Sequence, residues 1–517
     1  MIDQSNEATG LLSHVSNDNH LSPRSMRSIQ KHHSKTNRLL NSRHISMIAI
    51  GGIIGTGLFI GIRNTLVNGP WLSLLSYCYV SILCYIVIMT VGEMSCFLPI
   101  NGSLCQFQFQ FLSKSIGLSI NLIYWLSWSI TLALELSLIY TIISWWHDFQ
   151  YPTMITFAFW LLFLISNLLP VNNYGEIESF ITIIKIGFII TWIIISIIFI
   201  LKSEIGFKYW HDANHSFPTF YNLTSSLISA CFTFQSIESV AICSGEIKNP
   251  EINIPKSIKY VMVRIIVFYI GSLFLLTLMI SSQDPRLGGN GSESDIFQSP
   301  FLIGLINCGF PTSSIVLSLF NLVILILIMS AANSNVYFGS RCLISITESG
   351  YLPNFILKTA NGVPYIAVIL TSTVGLLSLL LKYKSVETVF NLLIKLCSTA
   401  GLLMWIFILL SYLRFRKILD HNHIEYQSLP YKSKYPKLMI NLAYFGIINV
   451  SLIVLLNGLP NFYNLEWDDL ISSYLTVTIL FSLIIGFKLY WNEPWLIPLN
   501  QIVLPSTYTL CRTGVSK

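Results

Sequence analysis

The chain has 517 residues, of which 53% are hydrophobic and only 10% charged, with a net charge of +6. Soluble domains carry roughly 25% charge and need it to cover their surface. That composition excludes an ordinary soluble globule, and the modest positive charge does not point to nucleic acid.

A polar tail rich in Ser, Asn and His opens the chain and is expected to be disordered. It shows no signal-peptide core, so the first apolar span is expected to act as the insertion signal. Apolar stretches follow at 45–66, 71–98, 118–146, 154–171, 178–201, 223–245, 260–282, 313–341, 364–381, 387–413, 438–459 and 470–491. A helix of about 20 residues crosses the hydrocarbon core, so these lengths suit about twelve transmembrane helices far better than barrel strands. The fold class read from the sequence is an all-α polytopic membrane protein. With the N-terminus inside, 22 of the 30 Lys and Arg residues, Arg264 and Arg341 among them, fall on the cytoplasmic side. That bias places both termini in the cytoplasm. The loop after span 11, with Glu466, Asp468 and Asp469, is then outside. Asn290-Gly-Ser falls in an outer loop where a glycan could be attached, and Asn101-Gly-Ser falls inside, where it should not be modified. The ten cysteines form no CxxC pair or Cys/His cluster, so neither a metal site nor a cofactor is expected.

Chemistry is concentrated in a few segments. Span 1 carries Gly51, Gly52, Gly55, Gly57 and Gly61, and each glycine weakens a helix interior by about 1 kcal/mol relative to Ala. Two readings fit. A deliberate break would expose backbone N–H groups suited to an α-carboxylate; alternatively, the glycines permit close helix packing. As a nucleotide loop the segment lacks the P-loop lysine and a flanking strand. Charges inside spans are costly in lipid and so mark candidate sites. Glu238 in span 6 and Glu135 in span 3 are candidates for meeting a cationic group or a proton, or for structural pairing. Glu93 and Glu246, nearer the span ends, read as gate or loop-anchoring charges. Lys185 in span 5 is either a buried proton carrier or a snorkelling lysine. No HExxH, paired aspartate or Ser/His constellation supports an enzyme.

The glycine-rich segment from Arg43 to Gly61 resembles the first-helix signature of the amino acid–polyamine–organocation superfamily, in its yeast amino-acid transporter branch. Tyr124-Trp-Leu-Ser-Trp-Ser-Ile-Thr-Leu-Ala-Leu-Glu-Leu, Tyr174-Gly-Glu-Ile-Glu with Lys185, Phe232-Thr-Phe-Gln-Ser-Ile-Glu and Gly245-Glu-Ile-Lys-Asn-Pro are similar to later family segments, in the same order. Ser330-Ala-Ala-Asn-Ser-Asn-Val-Tyr-Phe-Gly-Ser-Arg and Gly362-Val-Pro-Tyr-Ile-Ala-Val resemble those of fungal basic amino-acid (arginine/lysine) permeases. The resemblance implies a LeuT-type 5+5 inverted repeat with discontinuous spans 1 and 6. It divides the chain into a tail (1–44), a ten-helix core (45–413), two added helices with their loop (414–491) and a short tail (492–517). It further implies substrate contacts at Ile53, Gly55, Thr56, Gly57, Phe234, Ser236, Glu238 and Glu135, proton coupling through Lys185, and proton-driven import of basic amino acids at the plasma membrane. Alternatives are a general or neutral amino-acid permease and a non-transporting sensor of the same fold. Two departures stand out. Ser236 and Ile237 replace the family's Gly and Thr, and Lys395 lies in a span-10 stretch that is mostly neutral in relatives. Facing the cavity, Lys395 would repel a cation; facing an acid, it would be paired.

Overall fold

The computed structural model describes residues 42–502, apart from 52, 53, 56, 101, 148, 149, 204, 205, 213–219, 288–298, 312, 380–385 and 459–466. Ile53, Thr56, Asn101, Asn290, Glu466 and most of both tails therefore lie outside the described residues. Among the described residues the regular structure is helical. Ser42–Gly51 (α1) is followed by a π turn, Gly57–Gly61, and by Arg63–Leu66 (α2). Then come Pro70–Phe97 (α3), Ser103–Phe111 (α4), Lys114–Ser144 (α5), Pro152–Leu168 (α6) and Val171–Ser203 (α7). Phe220–Phe234 (α8) and Ser239–Ile242 (α9) form one interrupted element, followed by Pro250–Met279 (α10), which contains a π segment at Ile265–Gly271. The remainder are Pro300–Asn307 (α11), Ser314–Glu348 (α12), Tyr365–Gly375 (α13), Val386–His421 (α14), Pro436–Leu456 (α15) and Trp467–Trp491 (α16).

Local chemistry sets several of these boundaries. Pro70 occupies the first turn of α3, where its missing N–H costs nothing, after Gly69 at φ +101°. Ser113 caps α5 by accepting from Ile116 N at 3.3 Å, and Ser313 caps α12 by accepting from Val316 N at 3.4 Å, which satisfies amides that a helix start leaves open. α4 reads Ser-Leu-Cys-Gln-Phe-Gln-Phe-Gln-Phe, an alternation typical of a strand. It nevertheless forms a buried helix against α5, α12 and α14, so tertiary packing overrides its pattern.

Eight described helices are long and apolar enough to cross a membrane. Their outer faces carry large apolar side chains that no water-soluble surface would leave bare: Ile448 is 66% exposed, Phe180 67% and Leu201 76%. The protein is a multi-pass membrane protein. At its centre α5 runs against α12, α13 and α14, α1 lies between α7 and α10, and α8 packs on α3. That arrangement brings both interrupted elements to the middle of the bundle.

The helices also correct two expectations. The apolar stretch places the start of span 7 at 260, but α10 already starts at Pro250. Arg264, counted with the cytoplasmic cations, is only 1% exposed. α12 continues to Glu348, beyond the 341 expected, and carries Arg341 into a buried position.

Candidate functional site between the two interrupted helices

The first interruption separates α1 from the π turn at Gly57. The second lies between Phe234 and Ser239, where Ser236 has φ +75°, a left-handed backbone that residues other than glycine avoid. Thr233 stitches the two together. Its hydroxyl donates to Gly57 O at 3.1 Å and accepts from Tyr77 Oη at 2.9 Å. Phe234 is buried between Tyr77 and Tyr269, with ring centroids 5.3 and 5.0 Å away. Gln235 donates to Cys397 O on α14 at 2.6 Å.

Both readings of the span-1 glycines have a physical basis here. The helix is interrupted, and the glycines also let backbones approach. A Cβ on Gly55 would lie 2.9 Å from Ala331 Cβ, and one on Gly57 would lie 3.0 Å from Thr233 Cα.

Two buried carboxylates stand beside the interruptions. Glu135 on α5 is 3% exposed, and its Oε1 lies 4.0 Å from the position of a Gly55 Cβ. Glu238 is fully buried. Tyr124 Oη donates to its Oε1 at 2.6 Å and Trp405 Nε1 to its Oε2 at 3.0 Å. Both oxygens are thus held by neutral donors from α5 and α14, a geometry that fixes the carboxylate without cancelling its charge. Lys395, a few turns before Trp405 on α14, is half-buried.

Lys185 does not snorkel. It is fully buried, with Nζ 3.6 Å from Glu178 Oε1, and Ser330 Oγ on α12 sits 2.8 Å from each Glu178 oxygen. Glu178 was not singled out from the sequence, although it falls seven positions before Lys185 on the same helix, two turns away and on the same face. Arg264 was missed for a different reason, since a cation next to a run of loop lysines reads as part of the loop. It sits where the π segment of α10 begins, with its guanidinium 5.7 Å from the Tyr269 ring centroid. π turns cluster at functional sites.

The outer charges form anchors. Glu246 pairs with Arg341 at 3.2 Å and accepts from Tyr337 Oη, while the Arg341 guanidinium lies 3.9 Å from the Tyr337 ring centroid. Tyr337 in turn stacks on Tyr174 at 4.1 Å. Glu93, fully buried on α3, accepts from Tyr412 Oη at 2.8 Å, Tyr426 Oη at 2.6 Å and Ser433 N at 2.9 Å. It anchors the connection between α14 and α15. Among the described residues no group of three or more His, Cys, Asp or Glu is placed to hold a metal ion.

Interrupted helices with buried charges beside them define a substrate-carrying membrane protein rather than an enzyme. The amino acid permease family model matches residues 44–496, and the chain belongs to that family. It is 37% identical over 486 residues to the lysine-specific permease of Saccharomyces cerevisiae, covering 91% of this chain and 78% of the relative. To that organism's basic amino-acid permease it is 36% identical over 487 residues, covering 91% and 84%. The crystal structure of a variant of the Eremococcus coleocola manganese transporter superposes with a TM-score of 0.54 at 10% identity, covering 87% of this chain and 93% of that one. The likeness is one of fold.

Proposed function

We propose that this permease is a proton-coupled importer of basic amino acids, arginine and lysine, in the plasma membrane, with both termini cytoplasmic. The observation that carries the reading is the pair of buried carboxylates, Glu135 beside the first interruption and Glu238 beside the second. A guanidinium or ammonium entering between them would meet compensating charge, which a neutral side chain cannot supply, and burying such a cation without it is expensive. Backbone N–H groups at the interruptions, including those at Gly55 and Gly57, would receive the α-carboxylate. The printed specificities of the two yeast relatives support the same substrate class. We read the helices as twelve spans: α1 with α2, α3, α5, α6, α7, α8 with α9, α10, α12, α13, α14, α15 and α16. The first ten would form the LeuT-type 5+5 inverted repeat. Lys185 with Glu178 is our candidate for the proton site, because a buried lysine and carboxylate can exchange a proton without exposing a charge to lipid.

Competition for uptake tests the reading in a permease-deficient yeast expressing this chain. Excess arginine and lysine should block uptake of labelled lysine, leucine should not, and a protonophore should abolish accumulation. If leucine or glutamine competes best, the site is that of a neutral amino-acid permease.

A further inference from the structure

α1 is a separate lever. It is ten residues long, it is cut off from the π turn by the interruption, and it lies between α7 and α10. It can therefore pivot without breaking a helical hydrogen bond of its own. Near its Ser42 end it is fastened to α7 at the Glu176 carboxylate. Arg43 Nη2 donates to Glu176 Oε2 at 2.7 Å, and His44 Nε2 lies 2.8 Å from Glu176 Oε1. An ionised carboxylate only accepts, so the imidazole donates. One turn further along, Thr182 Oγ1 donates to Met47 O at 3.3 Å. The two basic residues differ in burial: Arg43 is 62% exposed, whereas His44 is 2% exposed. An exposed pair alone contributes little and exchanges readily with water. A buried imidazole whose bond to the same carboxylate breaks must instead find water elsewhere, which ties the contact to the position of α1.

We propose that Glu176 is a positioning residue that latches α1 against α7 and so keeps the path from the substrate site closed at the Ser42 end of the protein. Arg43 and His44 are the two catches, and releasing both lets α1 swing outward and opens that path. The latch suits a transporter, because it is strong enough to bias α1 and weak enough to open in every cycle. The proposal rests on the preceding reading for a substrate site between the two interruptions; the movement of α1 is its own addition.

The test is thiol accessibility in nanodiscs, with Cys78 and Cys511 replaced by Ala and no substrate or proton gradient present. Ile48 is 3% exposed under the latch, so Ile48→Cys reports the opening of α1 to a membrane-impermeant maleimide. Glu176→Gln and Glu176→Ala should each raise its labelling rate at least roughly threefold, the shift expected from losing a contact of this kind. The same substitutions with Ile48 in place control for general loosening, because the buried native cysteines should then stay unreactive. Labelling of Ile48→Cys unchanged in both variants overturns the proposal, and so does a parallel rise at the native cysteines. Since no uptake is measured, a failure of the basic amino-acid reading leaves this result intact, and a failed latch leaves that reading intact.

Discussion

Ser236 holds φ +75° at the turn between α8 and α9. Left-handed backbone costs an L-residue about 1 kcal/mol or more. Ser236→Gly should therefore raise the thermal midpoint of the purified protein by about 1–2 °C, a small shift because the chain is long. Ser236→Val, β-branched at the same φ, should lower it and reduce uptake. At Lys185, Lys185→Ala should lose accumulation while keeping exchange of internal for external substrate. Glu178→Gln should behave alike, because each residue compensates the other's buried charge; counterflow of labelled lysine separates exchange from accumulation. The burial of Glu135, Glu238 and Lys185 was legible in the sequence because an ionisable residue within an apolar run stands out. That of Glu178 and Arg264 was not: one stands at the polar edge of its apolar stretch and reads as a helix start, the other lies just past a run of loop lysines and reads as part of the loop. The neutral donors Tyr124 and Trp405 that hold Glu238 could not have been paired with it from sequence, since they come from different helices.

For the helices themselves, the contact between the first interruption, at Gly55, and α12 can be tested by trading volume. Gly55→Ala would bring its Cβ to 2.9 Å from Ala331 Cβ, and a core this dense cannot absorb the overlap freely. Gly55→Ala should lower both surface expression and uptake, and adding Ala331→Gly should restore both. If the second change does not restore uptake, the glycine serves the binding break rather than packing. Where α16 ends and α5 begins, Glu493 accepts from Ser115 N at 2.7 Å and from Ser115 Oγ at 2.5 Å, with Lys488 Nζ 3.4 Å away. Partial burial pushes its carboxyl up, but the bonds from Ser115 and the Lys488 charge outweigh that and hold it below the usual carboxylate range. A depressed folded-state value stabilises the fold above the ordinary glutamate pKa and ceases to do so as pH falls through the folded value. Glu493→Gln should therefore lower the thermal midpoint at pH 7, and the gap to the unaltered protein should close as the melts are taken down towards pH 3. Long spans such as α3, α7 and α12 were plain from hydropathy. The short α4 and α11 were not, because neither is long enough to cross a membrane and α4 alternates like a strand.

At the scale of the whole molecule, a charge count speaks to sidedness and not to depth. The bias of Lys and Arg sets a definite expectation: reporter fusions or protease mapping should find both termini in the cytoplasm and the loop around Asp468 outside. The same count says nothing of how deep Arg264 and Arg341 lie, and both are buried. The architecture also constrains where movement can occur. Glu93 gathers Tyr412, Tyr426 and the Ser433 amide onto one buried carboxylate, so α3, the end of α14 and the following connection behave as one strut. Separating them would strand a buried charge without its donors, an expensive event. The flexing points of the machine are therefore to be sought where the α-helical ladder is already broken or altered, at the interruption after α1, at Ser236 and along the π segment Ile265–Gly271, and not in the connection between α14 and α15.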